Sequence, residues 1–512
     1  MHGRCTARPE ARAQQRQGPD RYRQRKGGGA GVKIDGLVHS EQNTLDELWK
    51  TWQQKLVRNQ LRSMYYDAKN LIRDLGIAIP PDLVNLDMVL GWPAKSVDGL
   101  SRRCKLDGFV VPGLSTADLG IDDMWTSNRM ATEVPQAHTS AFLHSCAFVS
   151  TTLGDVQSGE PDVIISTRSA MYGSAIWDKR RRQVSSHLAI IEADELSGAP
   201  SVMIMYLPDS VVTMTKTSTG WRVDRRNHAL KRVPVEVLAY HPRLDRPFGS
   251  SRISRPVMTL ADSALRTAVR MEVSAEFYSA PQRWIMGADE SAFMDADGNL
   301  KTQWQAIMGR IWAVGATDDG DLPTVGEFSP ASQLPHADHL RTLATQFSGE
   351  TSIPVGSLGV IQDNPSSAEA IHAAKEDLLI EAEFADDQFG HAWTRSLLTG
   401  VQIRDNLSEI PTALRAMRAK WRDPATPSRS SAADAVLKTV QAFPWLAESE
   451  VALEQLGWDE TTIARAMADK RRMDARSMVR ERITSRAAEA QQDPEVADLA
   501  NRTETETDAD VA

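Results

Sequence analysis

Two stretches of this chain carry helical apolar stripes longer than an ordinary compact domain accommodates, and any fold has to be built around them. The first is introduced by Pro247-Phe248-Gly249-Ser250 and runs from Ser251 to Ala280. Ile253, Val257, Leu260, Ala264, Ala268 and Phe277 line one side, and Pro281 closes it. At 1.5 Å per residue this helix is about 45 Å long. The second opens on the capping box Ser366-Ser367-Ala368-Glu369 and ends at Gly400. Its stripe is Ile371, Leu378, Ala382, Ala385, Phe389, Trp393 and Leu397, while Glu376, Glu381, Glu383, Asp386 and Asp387 make its other faces acidic. Between the two lie a small strand-rich insert (Arg283 to Met286, then Ile311 to Val314) and a helix from Pro335 to Gly349. A nearly uncharged loop, Ser352-Ile353-Pro354-Val355-Gly356-Ser357-Leu358-Gly359-Val360-Ile361-Gln362-Asp363-Asn364-Pro365, joins that helix to the second long one.

Upstream, Leu45, Leu48, Trp49, Trp52, Leu56 and Leu61 predict a helix from Thr44 to about Leu75-Gly76, with Pro80-Pro81 beyond it. Shorter helices are expected over Pro93 to Cys104, Ile121 to Met130 and His138 to Ser145. From Cys146 to Tyr240 the period shifts to two. Seven strands follow from it: Ala147–Ser150, Val163–Ser166, Ser174–Trp177, His187–Glu192, Val202–Leu207, Val211–Thr215 and Trp221–Val223, forming a mixed, largely antiparallel sheet. Lys179-Arg180-Arg181-Arg182 reads as a solvated hairpin tip. Asp423-Pro424-Ala425-Thr426-Pro427-Ser428 is a linker, followed by a helical region rich in Arg and Ala from Ile463 to Ala490 and an acidic end. The fold class is α+β.

Of 512 residues, 41% are hydrophobic and 25% charged, which is ordinary globular usage and excludes bulk disorder. Met1 to Lys33 is the exception: nine Arg or Lys stand against Glu10 and Asp20, with Gly27-Gly28-Gly29 and no apolar periodicity. It reads as a disordered tail in preference to a nucleic-acid arm, because only one aromatic, Tyr22, interleaves the charge and no heptads accompany it. No run approaches the ~20 apolar residues of a membrane span, and the N-terminus lacks the apolar segment of a secretory signal. Cys5, Cys104 and Cys146 are too few for a disulfide framework, so synthesis in a reducing cytoplasm is expected. Net charge is 59 − 68 = −9, without the basic surplus of a protein that grips duplex DNA by phosphate pairing.

The search for catalytic patterns finds no phosphate loop, H-E-x-x-H, G-x-S-x-G or paired C-x-x-C. Asp295-Ala296-Asp297-Gly298-Asn299 opens like a calcium loop but continues with Leu300 and reaches Ala306 where the bidentate glutamate belongs, so it reads as a turn. His336, Asp338 and His339 read as a polar helix start. No enzyme activity and no cofactor are expected.

The order of elements, together with several short motifs, resembles the portal proteins of tailed double-stranded DNA bacteriophages, in their siphovirus-type branch. The motifs are Trp92-Pro93 with Val97-Asp98, Leu106-Asp107-Gly108-Phe109, Trp125 with Asn128-Arg129, and Ala137-His138 to Ala147-Phe148-Val149. Pro247 to Ile253, Ala280 to Trp284 and Ile353-Pro354 to Ile371 complete the set, and the resemblance spans Thr44 to Met467. It implies a portal fold assembling as a dodecameric ring around a central channel, at the capsid portal vertex of the virion, through which double-stranded DNA is packaged and ejected. Implied partners are the large terminase, the head-tail adaptor, and the major capsid and scaffolding proteins; no membrane is involved. The rival readings are a head-associated nuclease or protease, or a capsid scaffold protein without a channel. Residues 1–43 would be the basic arm, 44–250 the wing, 251–280 a stem helix, 281–334 the clip and 335–351 a second stem helix. Residues 352–365 would be the tunnel loop, 366–426 a long wing helix with its linker, 427–490 the crown and 491–512 an acidic tail. The resemblance places Pro354, Val355, Gly356, Val360, Ile361, Gln362, Asp363 and Asn364 in the DNA channel, and makes Arg283 and Arg310 candidate DNA contacts in the clip.

Overall fold

The computed structural model describes residues 32–70, 88–194, 198–278, 283–287, 324–327, 332–360, 368–425 and 429–492. Two compact units divide at Pro424 and Ala425, inside the proline-flanked stretch. The first begins with helices α1 (His39–Tyr66) and α2 (Trp92–Ser101), strand β1 (Leu106–Val110), and helices α3 (Ile121–Ser127) and α4 (Met130–His144). Eight strands follow: β2 (Cys146–Leu153), β3 (Val163–Ser169), β4 (Gly173–Asp178), β5 (Gln183–Ala193), β6 (Pro200–Tyr206), β7 (Ser210–Thr217), β8 (Gly220–Asn227) and β9 (Val235–Ala239). Helix α5 (Arg255–Tyr278), strands β10 (Arg283–Met286) and β11 (Thr324–Glu327), helices α6 (Leu334–Thr351) and α7 (Ala368–Arg404), and strand β12 (Arg418–Trp421) complete it. The second unit holds α8 (Arg429–Ala442), α9 (Glu450–Gln455) and α10 (Glu460–Gln492) around a small core of Val436, Leu446 and Ala452.

The layering follows from two strands that are buried on both faces. In β2, Ala147 and Val149 enter one core with α4 and α7, while Cys146 and Phe148 enter another against the second sheet. β5 repeats the device: Leu188 and Ile190 pack with Leu45 and Leu48 of α1, and Ala189 turns to the core that holds Phe148. A strand covered on both sides reads as a continuous apolar run, as β2 does. The order β3-β2-β9 therefore stands against the five-stranded meander β4-β5-β6-β7-β8, with α1 outside the meander and α4 and α7 beyond β2. All pairings are antiparallel. The expected mixture of directions is not found among the described residues. β9, not foreseen, pairs with β2; the charge in its middle, Glu236, is taken up by Arg232 at 3.0 Å and Arg395 at 3.2 Å.

Helix boundaries moved where the backbone, rather than the stripe, decides. Helix α1 starts at His39 and the chain before it already packs, with Ile34 buried and its N–H donated to Gln42 Oε1. The arm expected over 1–43 is thus built from Val32 onward. Helix α1 ends at Tyr66 rather than near Leu75, because Ala68 turns left-handed at φ +54°. The break expected between Met130 and His138 lies at Arg129 (φ +53°), and α4 runs unbroken through Pro135. Helix α7 passes Gly400, which is there for close approach: a Cβ on it would lie 2.6 Å from Met124 Sδ. β10 pairs with β11; the second expected strand, Ile311 to Val314, lies outside the described residues, as do Ser366, Ser367 and the turns at 295–299 and 318–321.

The two helices flanking the strand pair lie antiparallel. Gln333 Nε2 at the start of α6 donates to Ser274 Oγ near the end of α5 (2.9 Å), and Ser254 Oγ before α5 donates to Glu350 Oε1 near the end of α6 (3.1 Å). With 24 and 18 residues they are about 36 and 27 Å long. The motif Pro247-Phe248-Gly249-Ser250 sets the entry to α5. Gly249 has φ +67°, and a Cβ there would meet Tyr240 O at 2.1 Å. Left-handed backbone alone costs a non-glycine residue about 1–3 kcal/mol. Gly249→Ala is expected to exceed that in denaturant titration, because a backbone oxygen cannot move aside. Trp393, fully buried on α7 among Phe389, Trp125 and His138, should cost about 3–5 kcal/mol on truncation to alanine. An unchanged midpoint would place it on the surface.

Candidate functional site

The loop after α6 is anchored over its first half. Ser352 leaves the helix left-handed at φ +54°, and Ile353 drops into the core against Gly99, where a Cβ would come within 2.6 Å of Ile353 Cδ1. Pro354 then opens a single 3-10 turn, Val355–Leu358, closed by Gly359 at φ +83°. Trp92 Nε1 donates to Leu358 O at 3.2 Å, and the same indole packs on Phe347 with ring centres 5.4 Å apart. Despite its lack of a periodic apolar stripe the loop packs: Ile353 and Leu358 are buried, Pro354, Val355 and Val360 are half-buried, and Gly356 is exposed. Ile361, Gln362, Asp363 and Asn364 lie outside the described residues, as does Arg310. Arg283 lies at the start of β10, in register with Glu327.

Beside the anchored turn is a cleft of about 320 Å³ between α2, the turn and α7. Lys95, Arg102, Arg103 and Lys375 line it, against the single acid Asp98. Asp98 is engaged by Tyr66 Oη (2.8 Å) and Arg102 (3.6 Å), and Arg103 Nη1 donates to Pro424 O (2.8 Å). Lys95 and Lys375 have no ion-pair partner among the described residues. An uncharged loop therefore rises from a cationic base. Lys95 and the C-cap residue Arg102, seven residues or about two helical turns apart, were the signal for it, with Arg103 just beyond; Lys375 arrives from a distant segment.

Under the turn sits a buried polar frame. The Arg252 guanidinium donates to Ser96 O on α2, to Thr351 O at the end of α6, to Glu381 Oε1 on α7 and to Tyr240 Oη (2.9 Å), and Tyr240 donates to the same carboxylate. Burial raises the Tyr240 phenol well above its ordinary range. Two of the five acids placed off the apolar stripe of α7, Glu381 and Asp386, thus point inward. His138 is held down to about 3 by burial and is neutral: its Nε2 accepts from Trp393 Nε1 (2.9 Å), leaving Nδ1–H to donate to Cys104 O (3.1 Å). Burial likewise lowers His144 to about 4 and His187 to about 3, raises Cys146 to about 12, and pushes the Cys104 thiol up further. These groups are neutral and enclosed, placed to hold structure. Among the described residues no group of three or more His, Cys, Asp or Glu could hold a metal ion, and no helix is long and apolar enough to cross a membrane.

Burial, followed by the nearby Asp387 and Glu383 carboxylates and opposed by a thiol hydrogen bond from Cys104, raises Asp386 to about 7. Between about pH 4 and 7 the folded chain keeps a proton that the unfolded chain has lost, so stability falls as pH rises through that window. Asp386→Asn should therefore gain on the parent protein progressively from pH 4 to 8 in thermal unfolding. A gap independent of pH would show that Asp386 ionises freely.

The sequence matches the family described as "Phage portal protein, SPP1 Gp6-like" over residues 45–476. It is 28% identical over 386 residues to the portal protein of Mycobacterium phage L5, covering 73% of this chain and 77% of that protein. To the portal protein of Mycobacterium phage D29 it is 25% identical over 403 residues, covering 77% and 81%. Among solved structures it is similar to a chain in the neck of the native gene transfer agent particle computed with C12 symmetry, at 14% identity and a TM-score of 0.38, covering 78% of this chain and 99% of that one. A chain in the neck of the empty particle computed with C6 symmetry gives 14% and 0.40, covering 76% and 93%.

Proposed function

The chain belongs to the SPP1 Gp6-like family of phage portal proteins, and from that premise we propose that twelve copies form a ring at one capsid vertex, around a channel through which duplex DNA is packaged and released. The family match over residues 45–476 carries this reading. The fold supplies parts that suit it. Residues 44–250 and α7 form the wing, α5 and α6 the stem, the segment between them the clip, and the helices after residue 427 the crown. A pair of antiparallel helices with strands at its tip is a rigid way to hold a docking element away from a globular body. The large terminase docks at the clip during packaging and the head-tail adaptor replaces it afterwards. Scaffolding and major capsid proteins contact the wing. The chain's role is structural, and the packaging motor is a separate protein.

The loop from Pro354 to Pro365 handles DNA in the channel. Its first half is a fixed pedestal, held by Trp92 and Ile353, so contact with DNA falls to Gly356 and to Ile361, Gln362, Asp363 and Asn364. A loop with no lysine or arginine guides a polyanion by fit and does not trap it. Arg283 and Arg310 in the clip meet DNA at the channel mouth. Replacing Ile361 and Gln362 by glycine, while leaving the half-buried Val360 intact, should permit rings in negative-stain images and lower the DNA content per assembled head. Loss of rings would move the loop into the subunit interface, and normal packaging would remove it from translocation. Failure of the parent protein to form rings would overturn the portal reading itself.

A further inference from the structure

The chain's total of −9 conceals one strongly basic surface. From Arg471 to Arg486, helix α10 carries six arginines: Arg471, Arg472, Arg476, Arg480, Arg482 and Arg486. At roughly 100° per residue all six fall within one half of the helix circumference. The two acids of the same stretch, Asp474 and Glu481, fall on the other half, with Met473 and Met478. Every residue from 471 to 486 is exposed. Only Arg472 has an ion pair among the described residues, an exposed one with Asp469 at 3.5 Å. Helix formation thus sorts the charges by sign and leaves the arginines without carboxylates to balance them.

We infer that this face of α10 binds the phosphate backbone of duplex DNA. The six guanidinium groups are spread along about 22 Å of helix axis, and a DNA strand presents roughly one phosphate every 3.4 Å, or about six over that length. A protein partner would more often be met by a mixed-sign face with apolar anchors. Here the exposed apolar residues within the basic half, Val479 and Ile483, are outnumbered threefold by arginines. Nothing in the arrangement selects a base, so binding is independent of sequence and steeply dependent on salt. The inference takes from the portal reading only the source of the duplex, and the chemistry of the face stands without it. It also differs from the loop's role: the loop guides without charge, whereas this helix grips with it.

The test uses the full-length protein and a fluorescent duplex of about 20 base pairs of arbitrary sequence, titrated by anisotropy from roughly 50 to 300 mM salt. Replacing Arg476, Arg480, Arg482 and Arg486 by glutamine removes four phosphate contacts, which should reduce the slope of log K against log salt by about 3 to 4. The same four positions as lysine keep the charge and should keep the slope, and light scattering checks that all three proteins have the same particle size. A slope lost in the glutamine set and kept in the lysine set supports the proposal. Equal slopes in all proteins, or a loss shared by both sets, overturn it. So does preferential binding of a peptide of residues 493–512, which would make the chain's own acidic end the occupant. Ring formation is read independently, so a failure here leaves the portal assignment untouched.

Discussion

A single buried cation ties the first unit together. Arg252 lies within the Pro247-to-Ile253 motif and reaches four segments at once: the carbonyls of Ser96 and Thr351, the Glu381 carboxylate and the Tyr240 hydroxyl. Isolated charges are expensive to bury, and removing one partner of a buried pair commonly costs about 3–5 kcal/mol. The geometry offsets that cost by satisfying the guanidinium on each nitrogen, one of its acceptors being the carbonyl of Thr351, which the C-terminal end of α6 leaves free. Because the acceptors belong to α2, α6, α7 and the end of β9, the position of α5 relative to all of them is set at one point. The anchored turn of the loop, the basic cleft and the antiparallel helix pair all stand on this frame.

Much of this was legible in the residue pattern. The α7 stripe from Leu378 to Leu397 is buried as its spacing demands, and each of the seven stretches with period two is a strand. What escaped has identifiable causes. Glu381 and Asp386 fall on the acidic faces by spacing, which marks where a side chain points and not whether a cation or a thiol waits there. Helix ends moved where a single left-handed residue, Ala68 or Arg129, outweighed a continuing stripe. Gly400 carries the helix-stop signature yet is used for its missing Cβ against Met124. The loop at Ile353 looked polar because its burial depends on a neighbour, Gly99, more than 250 residues upstream. The arginines of α10 are visible as composition and their one-sidedness in the spacing, but a chain total of −9 averages this local surplus away.

The two roles argued for DNA divide by charge in a physically sensible way. A conduit that paired strongly with phosphates would bind its cargo rather than pass it. The nearly uncharged loop avoids that, and its cationic base is recessed between α2 and α7 rather than carried on the loop itself. The arginine face belongs to α10 in the second unit, where one helix carries the charge that the loop lacks.

The antiparallel seating of α5 and α6 has a mechanical consequence. Hydrogen bonds at both ends of the pair, Ser254 to Glu350 and Gln333 to Ser274, lie across the direction in which the strand pair is carried. A pull on β10 and β11 is therefore delivered to both helices in parallel, and opposing forces on the two would have to shear their whole interface at once. Contacts loaded in shear share the force and yield together, whereas contacts loaded at one end part in succession. The arrangement behaves as a strut, and its footing is the Arg252 junction, where the end of α6 and the approach to α5 are bonded to the same side chain.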